Sequence, residues 1–451
     1  MPRHAVGRLD ARSLAHEILI RVETTDAFAD VLLGERLAGA TLGAADAALA
    51  TRLVYGAIAW QGRLDHHLHG LLRRPLESLD PAVRAALRLG LYQLLFLDRV
   101  PVYAAVDASV DLARGAGRGA AGLVNAVLRR AVVIGRDALP LPPHGDPLAR
   151  ASVEWSHPPW LVKRWAAEFG AEELPRLLAA NNVRLRTAVR VNRHRSTRAA
   201  LLAELPAAGV TASASAWAGD GLVIERGAAR LRSLAAWDEG RFAFQSEAAQ
   251  LIAPLLAPAP GMRLLDACAV PGGKTAHLAA LCERSGLLVA LDARAAGLRR
   301  VRAEALRLGA DVVTLAADAR RPPLRATFDG VLVDAPCSGL GTLSRHPEVR
   351  WRRRPEDVPR LARLQHELLD GVAPLVRPGG LLVYAVCTLT RDENEAVVDS
   401  FLRAHPRFTI EHAARDGGAP PALITAAGFL RTLPHRDGLD GFFAARLRAR
   451  L

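Results

Sequence analysis

Sulfur and lysine are both scarce in this chain of 451 residues. Its four cysteines, Cys268, Cys282, Cys337 and Cys387, include no C-x-x-C pair, so neither a zinc ribbon nor a thioredoxin-type couple is indicated, and no metal site is expected. Four thiols in so long a chain give no disulfide framework, and a reducing cytoplasm is the expected setting. No stretch reaches the ~18 consecutive apolar residues of a membrane span. The opening residues, MPRHAVGRLDARS, hold no apolar signal core. A membrane partner is therefore not expected. Internal repeats and long low-complexity tracts are absent as well.

Arginine is plentiful instead. Of 59 basic residues only Lys163 and Lys274 are lysine, as a GC-rich coding sequence would give. Coding bias explains arginine over lysine but not a net charge of +13 or a pI near 10.7. Such a surplus points to a polyanionic partner, most often nucleic acid. Half of the residues are hydrophobic, which argues for a folded chain against a disordered one. The length exceeds what one core supports, so two or three domains are expected.

Residues 1–131 read as a helical bundle. Leu49, Leu53, Ala57, Trp60 and Leu64 recur at helical spacing, as do Val83, Leu87, Leu91, Leu94 and Leu95. Pro75, Pro81 and Pro101 mark helix stops. The segment 132–155, with Pro140, Pro142, Pro143 and Pro147, reads as an extended linker. Residues 156–255 read as a small α+β domain. TAVRVNRHR (187–195) predicts a strand, followed by a helix capped by Ser196 or Thr197. This domain lacks the aromatic pair of a base-reading RNA module, so an RNA-positioning role is expected of it.

Residues 256–451 alternate strand and helix. MRLLDAC (262–268), LLVALD (287–292), VVTLAAD (312–318), FDGVLVDAP (328–336) and LLVYAVCT (381–388) predict strands, with helical runs over 294–308, 357–375 and 392–404. That alternation predicts a doubly wound α/β domain with a parallel sheet. Such sheets bind ligands beyond the carboxyl ends of their strands. Asp266, Asp292, Asp318, Asp334 and Cys387 all fall at or near those ends. A core strand has no reason of its own to finish on a carboxylate so often.

The loop after the first of these strands is DACAVPGGKT (266–275). Gly272 and Gly273 let the backbone approach a ligand at the start of a helix. The G-x-x-x-x-G-K-[ST] phosphate loop would need glycine at 268, where this chain has Cys268. Asp292 is placed for a ribose hydroxyl pair and Asp318 for an adenine edge. A nucleoside cofactor without phosphates fits, and S-adenosylmethionine is one, with cationic groups suited to a carboxylate-lined pocket. Cys337, in DAPCSGLGTLSRHPEVRW (334–351), and Cys387, in YAVCTLTRDENE (384–395), follow strands aimed at the same edge. Cys282 lies on a helix and reads as a small buried hydrophobe, and Cys268 as a backbone contact beside the cofactor loop.

These motifs resemble the RNA 5-methylcytosine methyltransferases of the NOL1/NOP2/Sun type. The resemblance reaches the N-terminal part, where ALATRLVYGAIAWQGRLD (48–65), LRLGLYQLLFLDRVP (87–101) and GLVNAVLRRA (122–131) look like a NusB-like helical RNA-binding domain, and PHRDGLDGFFAARL (434–447) looks like the family's last strands. It implies a Rossmann-like methyltransferase domain that binds S-adenosylmethionine through Cys268, Ala269, Val270, Pro271, Gly272, Gly273, Lys274, Asp292, Asp318 and Asp334. It implies that the Cys387 thiolate adds to cytosine carbon 6, that Asp334 holds the N3 and amino edge, and that Cys337 assists release of the base. Lys274, at a point where arginine was not used, implies a role a guanidinium cannot fill. Two positions depart from the family: Val386-Cys387-Thr388 replaces the frequent Thr-Cys-Ser, and Val270 stands where Ala is usual.

Alternatives stay open. DNA cytosine methyltransferases use the cysteine of their Pro-Cys loop, which here is Cys337. A tRNA or other RNA cytosine substrate, or a NusB-like binding protein without activity, also fits. The NusB-like region favours small-subunit rRNA as partner, with the chain acting as a monomer. The basic surplus predicts that RNA affinity falls steeply as salt rises, because phosphate contacts release counterions. Arg350, Arg352, Arg353 and Arg354 around Trp351 are the candidate contacts. Charge-neutral substitutions at these four positions should flatten the slope of log affinity against log salt.

Overall fold

Apolar spacing of 3.6 residues over the first 134 positions becomes a stack of helices: Ala11–Thr24, Ala29–Ala38, Ala44–Ala59, Gln61–Leu71, Pro81–Phe96, Val102–Leu112 and Ala120–Ile134. These belong to a computed structural model that describes residues 10–39, 42–142, 145–283, 285–415 and 419–451; most of the opening segment MPRHAVGRLDARS lies outside them. Leu53, Ala57, Leu64, Val83, Leu87 and Leu91 are buried in one apolar cluster, with Leu49, Trp60, Leu94 and Leu95 packed against it. Asp10 caps the first helix through the N–H groups of Arg12 and Ser13, and Asp80 caps the fifth through Ala82. Pro81 and Pro101 do more than stop helices. Pro81 is the first residue of Pro81–Phe96, and Pro101 directly precedes Val102–Leu112. Proline suits the first turn because an N–H there has no helical acceptor to lose. Within the segment expected to be extended, Pro147–Glu154 is helical and capped by Asp146. The helix Pro159–Ala180 follows, interrupted at Gly170.

The chain divides into two compact units. The first contains residues 1–183 together with 343–353; the second contains 184–342 and 354–451. The returning segment changes the reading of its arginines. Arg350 is fully buried and donates to the carbonyls of Ser156 and Asn181, both at 3.0 Å, and to Asn182 Oδ1 at 2.7 Å. Trp351 Nε1 donates to Ile58 O at 2.8 Å. Arg352 donates to the carbonyls of Val22 and Ala27 at 2.9 and 2.7 Å, its guanidinium over the Phe28 ring. Arg350 and Arg352 therefore hold this unit together, and the proposed phosphate-binding patch is not supported at either; of the four arginines only Arg354 is exposed. A planar cation with five donors tolerates burial when carbonyls surround it.

The second unit carries two sheets. The smaller is antiparallel, with β1 (Thr187–Val191), β2 (Thr211–Ala214), β3 (Gly221–Arg226) and β4 (Phe242–Phe244) in the order β2-β3-β1-β4. Thr197 is the cap of the helix after β1, accepting from Ala200 N. The larger sheet comprises β5 (Arg263–Asp266), β6 (Leu287–Asp292), β7 (Val313–Ala316), β8 (Phe328–Asp334), β9 (Val376–Val386), β10 (Phe408–Glu411), β11 (Leu430–Thr432) and β12 (Phe442–Ala449). Its order is β10-β12-β9-β8-β5-β6-β7, with β11 on β12. β5 through β9 run parallel, while β12 inserts antiparallel between β9 and β10. Strand order reverses between β5 and β8, the place where such sheets open a ligand crevice. The small sheet is tied to the large one through Arg307, whose guanidinium donates to Trp237 O at 2.6 Å and stacks 3.6 Å over the Trp237 ring. Among the described residues no helix is long and apolar enough to cross a membrane.

Replacing Arg350 with leucine leaves buried carbonyls at Ser156 and Asn181 without a donor. Urea unfolding should show a loss of about 3 kcal/mol or more, while the salt dependence of RNA binding in the folded variant stays that of the parent chain.

Candidate active site

Four of the five strand-end groups converge. β5 ends on Asp266, and its chain turns through residues 267–272 into the helix Gly273–Leu281. Gly272 sits at φ +107, and a Cβ there would lie 3.0 Å from Val301 Cα. Only glycine meets both demands. β6 ends on the buried Asp292, which accepts from Val270 N at 3.0 Å and Arg294 N at 2.8 Å. Asp292 thereby fixes the cofactor loop from the neighbouring strand. β8 ends on Asp334, whose Oδ2 accepts from Lys274 Nζ at 2.6 Å. Burial pulls the Lys274 ammonium down, yet Asp334 and then Cys387 outweigh it and leave the pKa raised. Asp318 is separate. It lies two residues beyond β7, half-exposed, and its carboxyl is held below the usual range by hydrogen bonds from Arg320, which also pairs with Glu367.

Three carboxylates make the surroundings of Cys268 in this loop negative. Burial, then the charges of Asp266, Asp334 and Asp292, push the Cys268 thiol well above its ordinary value. Asp266 is fully buried, and burial first, then the charge of Asp334, raises its pKa to about 7 against the hydroxyl bond from Thr275. Its Oδ1 has no hydrogen-bond partner. An orphaned carboxylate oxygen amid three acidic groups fits a cationic ligand and not a triphosphate. Cys282, by contrast, is buried and its thiol raised to about 11 by burial alone, as its reading as a core residue expected.

The two cysteine loops meet. Ala335 N donates to Ala385 O at 2.9 Å, Gly341 N to Cys387 O at 3.0 Å and Gly441 N to Gly341 O at 2.7 Å. A Cβ on Gly341 would fall 2.0 Å from Gly441 O, so this approach exists only with glycine there. Cys337 Sγ and Cys387 Sγ are 3.3 Å apart, and Cys387 N donates to Cys337 Sγ at 3.4 Å. Neither cysteine is in a disulfide. Contact with Cys387, then burial, push the Cys337 thiol well above its ordinary value, and Glu393 adds to this. Below these loops lies a residue that the sequence reading passed over. Glu393 is fully buried and accepts from Ser338 N, Gln365 Nε2 and Thr390 Oγ1 at 2.8, 3.0 and 3.0 Å. The acidic run RDENE after Cys387 was its only sequence signal.

Comparison with known proteins agrees with this geometry. Residues 253–448 match the family model of the 16S rRNA methyltransferase RsmB/F, residues 9–132 that of the NusB family, and residues 157–229 that of the ferredoxin-like domain of RsmF/B-like methyltransferases. A probable ribosomal RNA small subunit methyltransferase B of Bacillus subtilis (strain 168) is 34% identical over 98% of this chain and 99% of its own length. The chain belongs to the RsmB/F methyltransferase family. A ribosomal RNA small subunit methyltransferase B of Pseudomonas syringae pv. tomato is 40% identical over 89% of each chain. The crystal structure of PH0851 superposes with a TM-score of 0.84 at 27% identity, covering 97% of this chain and 99% of that one. Membership makes the chain a methyltransferase with S-adenosylmethionine as methyl donor, as the sequence motifs implied.

Asp266 gives that donor a pH signature. A carboxyl with a raised folded pKa favours its neutral form, and a cationic ligand favours the ionised one. Affinity for S-adenosylmethionine should therefore strengthen as pH rises through about 7 and level off above it. Calorimetry across pH 5.5–8.5 checks this, and Asp266→Asn should weaken binding at high pH and remove the dependence.

Proposed function

We propose that the chain methylates carbon 5 of a cytosine in small-subunit rRNA through a covalent bond from Cys387 to carbon 6. The observation that carries the reading is the pair of cysteine thiols 3.3 Å apart in the loops after β8 and β9, beside the Lys274–Asp334 ion pair. Carbon 5 of cytosine is a weak nucleophile. Addition of a thiolate to carbon 6 turns the ring into an enamine whose carbon 5 can take a methyl cation equivalent.

The chain's own groups divide the work. Cys387 forms the Sγ–C6 bond. Lys274, a buried cation, pairs with Asp334 at 2.6 Å and lies close to Cys387. Asp334 holds the base at N3 and the amino group, and stabilises the proton that the adduct takes up there. After methylation the carbon 5 proton must leave before the Sγ–C6 bond can break, and Cys337 assists that release. The resemblance to the RNA methyltransferase family supports this order over the DNA-type order. Cys268, Ala269, Val270, Pro271, Gly272, Gly273, Lys274, Asp292 and Asp334 would hold the donor, which when bound would supply the methyl group. Asp318, turned toward Arg320, would have to exchange that partner to meet an adenine edge.

In this reading residues 1–131 bind rRNA, 132–155 connect, 156–255 position the RNA and 256–451 carry out the chemistry, in the cytoplasm and as a monomer. The relatives named for small-subunit rRNA support the substrate class.

Asymmetry between the thiols tests the mechanism. Cys387→Ser should abolish methyl transfer while S-adenosylmethionine still binds. Cys337→Ala should still methylate but accumulate an RNA–protein adduct that survives denaturant on a gel. An adduct in Cys387→Ser and none in Cys337→Ala would reverse the assignment.

A further inference from the structure

A carboxylate that is fully buried must collect donors from whatever surrounds it. Glu393 collects them from both cysteine loops. Oε1 takes the backbone N–H of Ser338 at 2.8 Å and the amide of Gln365 at 3.0 Å. Oε2 takes the hydroxyls of Ser338 at 2.5 Å, Thr390 at 3.0 Å and Thr388 at 3.3 Å. Ser338 follows Cys337, and Thr388 follows Cys387. Their two hydroxyls also meet each other at 2.7 Å. Gln365 closes the ring from below, donating to Pro336 O at 3.0 Å, and Tyr384 OH donates to Glu393 O at 2.6 Å. One side chain thus fastens the residue after each thiol.

We infer that Glu393 is a positioning residue of the two-thiol site, setting the separation and aim of Cys337 and Cys387 without touching substrate. The inference rests on the proposed roles of those cysteines for its catalytic meaning, but its geometric content does not. Each thiol is attached to a loop, and loops hold a fixed distance only when something pins them. The backbone bond from Gly341 to Cys387 O pins one side. Glu393 pins the other. The hydroxyl between Val386-Cys387 and the rest of the loop, Thr388, has a partner here that explains its presence: it shares Glu393 with Ser338. The charge has a second effect, since it adds to the forces that keep Cys337 protonated.

Two variants separate bonding from charge. A glutamine at 393 keeps an acceptor for the two obligate N–H donors and can donate its amide to hydroxyls that turn round. A leucine keeps the volume and removes every bond. The separation of the thiols can be read without RNA. Diamide takes two electrons and two protons from a thiol pair as the disulfide forms, so its rate reports how often the sulfurs meet. In the full chain, Glu393→Leu should slow formation of the Cys337–Cys387 disulfide, measured by peptide mass spectrometry. It should also lower kcat by about 100-fold with KM for rRNA and S-adenosylmethionine affinity unchanged. Glu393→Gln should restore most of both rates and let Cys337 react with iodoacetamide at lower pH than the parent does. If Glu393→Leu does not fold, the paired change Ser338→Ala with Thr388→Val removes both hydroxyl ties while keeping the Ser338 N–H bond, and should slow the disulfide to a smaller extent. A folded Leu or paired variant with the parent's disulfide rate overturns the inference. Loss of the covalent mechanism itself appears elsewhere, as methylation by Cys387→Ser, and leaves the diamide result standing.

Discussion

Charge removed from water has to be met by the chain, and the segment leaving β8 is arranged around two such charges. Glu393 takes donors from Ser338 and Thr388, and Arg350 gives donors to Ser156, Asn181 and Asn182. Between them runs the stretch from Cys337 to Trp351. Each is satisfied chiefly by dipoles of backbone and side chain, with Glu348 adding an attraction to Arg350. That arrangement costs less in desolvation when the dipoles are already fixed by secondary structure, as the carbonyls and strand-end loops here are.

The sheet turns this local bonding into a site. β5, β8 and β9 lie side by side and parallel, so Asp266, Asp334 and Cys387 emerge at one edge without special loops. Register does the rest: Asp334 opposes Ala385 across the ladder, which brings the loop bearing Cys337 alongside Cys387. The antiparallel β12 supports β9 from its other side, pairing Phe443 with Val386. Lys274 Nζ lies 5.3 Å from the centre of the Phe442 ring on β12, so the final strand also walls the buried cation.

Much of this was legible before any coordinates. Apolar runs over 263–266, 287–292 and 328–334 are flanked by glycine and carboxylates, and buried parallel strands have that signature. The helical spacing of Leu53, Ala57 and Leu64 gave the bundle in the same way. Asp318 was misplaced by two residues of run-on: VVTLAAD ladders only over Val313–Ala316, which lets the carboxylate turn to Arg320. The arginines near Trp351 misled because RWRRR looks like a solvated face; the acceptors of Arg350 lie 168 to 291 positions away. Glu393 was missed for the same physical reason. Its donors at Ser338 and Gln365 are 55 and 28 positions distant, and nothing in the local pattern RDENE distinguishes a buried carboxylate from its exposed neighbours. The insertion of β12 between β9 and β10 is a pairing choice that no single segment encodes.

The path of residues 343–353 has a consequence for the molecule's modularity. The chain enters the first unit, leaves it at 183, returns for eleven residues and leaves again. A gene cut at 183 would make a helical fragment lacking Trp351 beside Gly62 and the guanidinium that its own carbonyls at Ser156 and Asn181 require. The helical unit is therefore completed only after four of the eight strands of the larger sheet have been synthesised. In a ribosome-bound chain the helical unit would wait, unfinished, for a tether that emerges directly behind the Cys337 loop. Exchange of such a helical region between relatives by simple end-to-end fusion would carry over a bundle with a missing strut, and inheritance as a unit demands that both pieces travel together.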